Sequence, residues 1–301
     1  MNKLKAMAIF VKIVDQGSLS KAAEKLGMSQ SSVARSLAAL EESVATQLIH
    51  RTTRKQTLTE EGIEFSLRCR QILADVDDAE NALTQRQSKP KGLIRITAPQ
   101  TFGRLHINPL ISEFIHTYPE IEVELLLLDR VVDLIEEGMD IALRIGHLPD
   151  STLIAKQVGK VAFKVCASPH YIEQAGQAEH PTELFDYECI QLTALKSHAQ
   201  WGFREAGKHH KISISGRFKT NHVESALDAC KQGLGYGQFL SYQVAESVHA
   251  GELKTVLESY ESPPLPVNLV YPHSRRLSSR SRTFIDWIAP RLQSRLRAID
   301  S

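Results

Sequence analysis

The sequence predicts an α+β chain of more than one domain: a small helical N-terminal domain with a basic hairpin, one long helix, and a C-terminal α/β domain. Three observations predict it. Short amphipathic stretches punctuated by Ser and Gly fill the first 45 residues. An apolar seam then recurs at Cys69, Leu73, Val76 and Leu83 without a breaker. After SKPKG, residues 88 to 92, short apolar runs alternate with helical stretches, as in a parallel sheet covered by helices.

The N-terminal elements follow from spacing. KAMAIFVKIV places Met7, Phe10, Val11 and Val14 on one helical face, and GSLSKAAEKLG buries Leu19, Ala22, Ala23 and Leu26 between a Ser cap and Gly27. In GMSQSSVARSLAAL, residues 27 to 40, Ser29 is the N-cap of a third helix whose core stripe is Val33, Leu37, Leu40 and Val44. The opposite side carries Ser31, Arg35, Ala38 and Ala39, flanked by Gln30 and Ser32. It lacks the Glu and Lys of a solvated face until Glu41 and Glu42 at the far end. Helix, Gly turn, helix is the shape that lays its second helix in the DNA major groove. A helical hairpin with an Ala-rich packing face is the alternative.

The flanks favour DNA. HRTTRKQTLTEEG alternates Arg51, Arg54 and Lys55 with β-prone Thr, which reads as a basic hairpin. Residues 1 to 58 hold nine Lys or Arg against four Asp or Glu, a net of +5 in a chain whose total is +1. A local excess of that size is what a phosphate-binding surface requires. By side-chain geometry Gln30 suits adenine and Arg35 guanine or a phosphate. The wing residues Arg51, Thr53 and Arg54 suit phosphates or the minor groove.

Residues 1 to 62 resemble the winged helix-turn-helix of LysR-type transcriptional regulators, through the run FVKIVDQGSLSKAAEKLGMSQSSVARSLAALE and then LIHRTTRKQTLTEEG. Ser31 stands where that family usually has Pro, and Ala34 where it has Ser before the Arg. Downstream, GLIRITAP, DRVVDLIEEGMDIALRIG, SPHYI and GLGYG resemble the effector-binding domain of the same regulators. The resemblance implies a two-lobed, periplasmic-binding-protein-like α/β domain. The expected division is a DNA-binding domain at 1–58, a linker and dimerisation helix at 59–89, and an effector domain at 90–301. Within the last, lobe I is 91–161 plus 267–301 and lobe II is 162–266, with crossings at Val161 to Ser168 and Val267 to Tyr271. The implied partners are double-stranded operator DNA, a small effector, a second or further copy of the chain, and RNA polymerase.

Thr59 caps the long helix, with Glu60 and Glu61 in its first turn. Its seam fits a partner helix, because a two-fold dimer meets two half-sites on a duplex. Packing of the seam on its own domain is the alternative. In the effector domain, Thr101 opens a helix after the strand ending at Pro99. Its hydroxyl and the N–H groups there suit an anion, and a plain helix cap is the alternative. Arg144, Gly146 and His147 end the DIALRIG strand, where a charged residue is otherwise simply solvated. The resembled fold adds Thr193, Asn221 and His222 from the second lobe. Thr101 opposite Arg144 favours a small carboxylate.

Other classes have less support. At 42% hydrophobic and 24% charged the chain is not disordered, and no apolar run approaches the ~20 residues of a membrane span. A cytoplasmic protein without a secretory leader is expected. The four cysteines lack CxxC spacing, so no disulfide framework, metal site or cofactor is expected. GLGYG, Gly233 to Gly237, lacks the spacing of a phosphate loop and reads as a tight turn into a strand, and His209 with His210 as a pair in a polar loop. No nucleophile motif supports an enzyme. A two-lobed solute-binding protein without DNA, and a regulator without any effector, remain as alternatives.

Overall fold

The structure is a computed structural model of the chain, and it describes residues 2–51, 56–83, 90–148, 152–193, 199–272 and 277–299. At the N-terminus α1 (Lys3–Gln16), α2 (Leu19–Leu26) and α3 (Gln30–Val44) enclose one core of Phe10, Ile13, Ala22, Val33, Leu37 and Leu40. Local chemistry sets each boundary. Asn2, Ser18 and Ser29 accept backbone N–H groups at the three helix starts, and Gly17 and Gly27 end α1 and α2 in the left-handed region, with φ of 67° and 61°. Glu41, at the end of α3, turns back so that its Oε1 accepts from the Leu48 and Ile49 N–H groups. It thereby anchors the antiparallel hairpin β1 (Ile49–Arg51) and β2 (Gln56–Leu58).

Thr59 links hairpin to helix. Its hydroxyl donates to the Gln47 carbonyl (2.8 Å) and accepts from the Gly62 N–H (2.8 Å) at the start of α4 (Glu60–Leu83). A Cβ at Gly62 would stand 2.0 Å from the Leu48 carbonyl oxygen. Gly62→Ala is therefore expected to cost the N-terminal domain about 1–3 kcal/mol, since backbone rather than a side chain must yield. A thermal melt of the variant that matches wild type would show that the junction is loose.

The first half of the α4 seam faces its own domain. Cys69 is wholly buried and Leu73 packs beside it, both against the N-terminal core rather than toward a partner helix. Side chains from 77 onward, Leu83 included, lie outside the described residues. Periodicity identifies an apolar stripe but not which surface covers it.

The effector region has two lobes. The first holds β3 (Gly92–Ala98), β4 (Ile121–Leu127), β5 (Ile141–Ile145), β6 (Ile154–Val161) and β14 (Leu265–Tyr271), in the order β4-β3-β5-β14-β6. β3 runs parallel to β4 and β5, whereas β14 is antiparallel to β5 and β6, so the sheet is mixed rather than parallel throughout. Its core is covered by α5 (Gln100–Phe102), a π-helical turn (Gly103–Ile107) and α6 (Asn108–Thr117), which follow one another without interruption, and by α10 (Ser279–Ile299).

The second lobe carries β7 (Phe163–Ala167), paired antiparallel with β12 (Gly237–Leu240) and β13 (Lys254–Val256). Around them lie α7 (Pro169–Ala175), the short parallel pair β8 (Gln191–Leu192) and β11 (Lys219–Thr220), α8 (Val223–Lys231) and α9 (Ser241–His249). The first crossing is compressed to Ala162, whose carbonyl accepts from the Ser241 N–H (2.7 Å). Residues 163–167 are already a strand of the second lobe, and Val267–Tyr271 is the body of β14, so the return crossing precedes Leu265. A hairpin of β9 (Gln200–Glu205) and β10 (Lys208–Ser213) turns at Ala206 and Gly207, both at positive φ. His209 and His210 thus lie on a strand, not in a loop. The exposed, charged face of β10 has no apolar alternation to reveal it.

Candidate nucleic-acid interface and effector cleft

The face of α3 opposite its core stripe is open. Gln30, Ser31, Arg35 and Ala38 are exposed, and Ser32 and Ala39 half-buried. The Ser29 hydroxyl accepts from the Ser32 N–H (3.2 Å) and donates to the Ser32 hydroxyl (2.9 Å), with Ser31 Oγ 3.1 Å away. This serine cluster keeps the first turn narrow and presents Arg35 one turn further on. Arg51 is the last residue of β1, and its side chain, like Thr53 and Arg54, lies outside the described residues.

The predicted effector residues divide into two groups. Thr101 and the second-lobe residues come together. The buried Thr101 hydroxyl donates to Glu224 Oε1 of α8 (2.9 Å), and Glu224 Oε2 stands 3.5 Å from His222 Nε2. Arg104 reaches the same carboxylate at 3.4 Å. Thr193 donates its N–H to the Thr220 carbonyl (2.7 Å), and Thr220 Oγ1 accepts from the His222 N–H, so Thr193, Asn221 and His222 share one corner of the second lobe. Partial burial acts to raise the Glu224 pKa. The Thr101 and backbone hydrogen bonds and the nearby His222 and Arg104 outweigh it, leaving the carboxyl below the usual range.

Arg144 goes elsewhere. Its guanidinium donates to the Val132 carbonyl (3.2 Å), and its charged neighbours are Glu137 and Arg130. Gly146, at φ 115°, donates its N–H to Pro266, and His147 is exposed. Strand alternation explains the separation. Ile141 and Leu143 enter the core that α6 covers, whereas Ala142 packs in the small cluster with Leu134 on the other face, and Arg144 shares its parity.

Sequence reasoning missed Glu224, Asp129, His106 and Tyr242. Asp129 accepts from the Gln100 N–H (3.0 Å) and side-chain amide (3.1 Å) at the start of the same helix. Phe102, His106 and Tyr242 form a ring cluster where α9 meets the first lobe, with centroids 4.8 to 5.5 Å apart. An acidic residue in the first turn of α8 was visible in HVESALDACK, but only as a match to the helix dipole. Among the described residues there is no group of His, Cys, Asp and Glu suited to a metal ion, and no helix is long and apolar enough to cross a membrane. The four cysteines are buried, which pushes Cys69 up to about 11 and Cys189 to about 12.

Residues 4–63 match the family model described as the bacterial regulatory helix-turn-helix protein of the lysR family, and residues 87–293 match the LysR substrate binding domain. The chain belongs to the LysR family of transcriptional regulators. Relatives match it over nearly its full length. The HTH-type transcriptional regulator YhjC of Escherichia coli K12 is 34% identical over 291 residues, 96% of this chain and 97% of that protein. The solved structure of CrgA, a LysR-type transcriptional regulator from Neisseria meningitidis, is 31% identical with a TM-score of 0.63, covering 96% and 98% of the two chains. The full-length Vibrio cholerae virulence activator AphB, at 28% identity, has a TM-score of 0.61 over 95% and 98%. This LysR-family protein is thus a transcriptional regulator with a DNA-binding helix-turn-helix and an effector-binding domain.

The ring cluster is expected to make the stability of the regulator's effector domain depend on pH. Burial, and secondarily the Arg295 charge, pull the His106 imidazole down from 6.5 to about 4, and its Nε2 has no hydrogen-bond partner among the described residues. The unfolded chain takes up this proton near pH 6.5 while the folded one resists until about 4. The stability contribution is therefore complete above pH 6.5 and is lost as pH falls toward 4. Allowing for partial exposure, His106→Phe is expected to remove about 1–2 kcal/mol of that acid loss. Melts of both proteins across this window test it, and parallel curves would show that His106 titrates alike in the folded and unfolded chain.

Proposed function

We propose that this regulator binds an inverted-repeat operator in the cytoplasm as a homodimer or homotetramer, and that a small carboxylate in the inter-lobe cleft biases its arrangement on DNA. RNA polymerase is then the partner on which regulation acts. The observation that carries the DNA contact is the exposed face of α3, where small side chains surround Arg35 and let the helix approach the groove floor. Gln30 reads adenine and Arg35 guanine, Ser29, Ser31 and Ser32 contact the backbone near the helix start, and Arg51, Thr53 and Arg54 hold phosphates. Leu4, Ile63 and Ile72 are exposed apolar residues on α1 and α4, which supports pairing of copies there.

Footprinting on DNA upstream of the regulator's own gene tests the reading, with a protected inverted repeat as the expected result. Binding should weaken steeply with salt. In an Arg51→Ala, Arg54→Ala variant the logarithmic slope should fall by about one for each lost phosphate contact. An unchanged slope would remove the wing from the interface.

Thr101, with His222 near it, supports the carboxylate class, because a carboxylate already sits against that hydroxyl. Gly146 and His147 are the first-lobe residues assigned to the remainder of the ligand, with Thr193 and Asn221 opposite, and Arg144, turned to the other face of the sheet, is not among them. A second reading, an effector-independent regulator, is favoured by one observation: the carboxylate at Thr101 belongs to the protein itself.

A further inference from the structure

We propose that Thr101 and Arg104 of the first lobe form a carboxylate seat that Glu224 of the second lobe fills in cis, so that Glu224 bridges the lobes and governs entry of any external carboxylate. The inference rests on the carboxylate-effector reading and gives that site its resident competitor.

The geometry carries it. Thr101 is buried, 5% exposed, and its hydroxyl donates to a residue of the second lobe 123 positions later in the chain. That bond is charge-assisted and partly withdrawn from water, which makes it stronger than a neutral pair. The Arg104 contact is longer and exposed, so it adds little by itself but completes a donor set of hydroxyl and guanidinium around one oxygen. His222 lies against the other oxygen. Beside this seat Asp129 fills the N–H of Gln100, so the start of the helix offers its donors to the protein's own carboxylates at two successive residues.

Two consequences follow. An entering carboxylate must displace Glu224, and the apparent affinity of the cleft is lowered by the fraction of time Glu224 is seated. Displacement also cuts a direct hydrogen bond between the lobes, which gives such a ligand different contacts in the bridged and unbridged arrangements, as any regulatory ligand needs.

The test is excision and rescue in the full-length protein. Glu224→Ala removes the equivalent of acetate, so acetate is the probe, with chloride at equal ionic strength as the control. The variant is expected to melt about 2–4 °C below wild type and to recover saturably with acetate, half-maximally at about 1–100 mM. Wild type should show no saturable response, and Thr101→Val in the variant background should abolish the rescue. Equal responses of wild type and variant, or none in either, would overturn the seat. Should Glu224→Ala fail to fold, Glu224→Gln, Thr101→Val and their combination form a cycle of melts. Additive shifts would then overturn the bridge. Operator footprints taken with and without acetate separate the two ideas: rescue with an unchanged footprint leaves the seat standing and removes the regulatory role of a carboxylate.

Discussion

Gln30→Ala combined with Arg35→Ala is expected to reduce discrimination between operator and random DNA by about 2–6 kcal/mol. Under the proposed reading each side chain makes a bidentate base contact of about 1–3 kcal/mol, and losses at separated positions add. The chain should still fold. Both residues are exposed, and neither belongs to the core of Val33, Leu37 and Leu40 beneath them. Residual binding should keep its salt dependence, because the phosphate contacts proposed for the wing are untouched. Affinities for operator and for random DNA at two salt concentrations give both quantities. Retained discrimination would mean that another surface reads sequence.

Phe114→Ala should unfold the effector region most readily. The ring is fully buried and meets Phe284 edge-on at 4.9 Å, Trp287 at 5.3 Å and Tyr118 at 4.7 Å. Truncation leaves a cavity that α6 and α10 cannot close together, at a cost of about 3–5 kcal/mol. The effect is regional. Phe284 returns to the first lobe after the whole second lobe has been built, so this contact joins two distant segments of chain. Calorimetry should show the effector transition lowered by roughly 6–20 °C, with the N-terminal transition unmoved. A shift confined to the N-terminal transition would contradict the packing.

Much of this was legible because it is local. Ser29, Gly27, Thr59 and the Val33–Leu37–Leu40 stripe act within a few residues of themselves, and capping and helical periodicity need no knowledge of the fold. The strands β3, β4 and β5 were legible as apolar runs. The strands β6 and β10 were not, since polar and charged residues occupy their exposed positions and break up the apolar run.

The site was half legible. Thr101 followed from its place after a strand, and His222 from the resembled fold, but their common partner Glu224 had no sequence signature beyond an acid at a helix start. Arg144 shows the opposite error. The end of an apolar strand points toward the cleft as a position, yet the side chain follows the pleat to the face where Val132 and Glu137 wait.

What the sequence by itself determined were the helix ends, the exposed small-residue face of α3 around Arg35 and the net positive charge of the N-terminal 58 residues, all properties of neighbours in the chain. Only the tertiary structure decided that Cys69 and Leu73 of α4 turn inward on their own domain, that β14 enters its sheet antiparallel, and that Glu224 of the second lobe meets Thr101 of the first. Each of those joins surfaces distant in sequence, and which surfaces meet depends on the packing of the whole chain rather than on any residue's local preference.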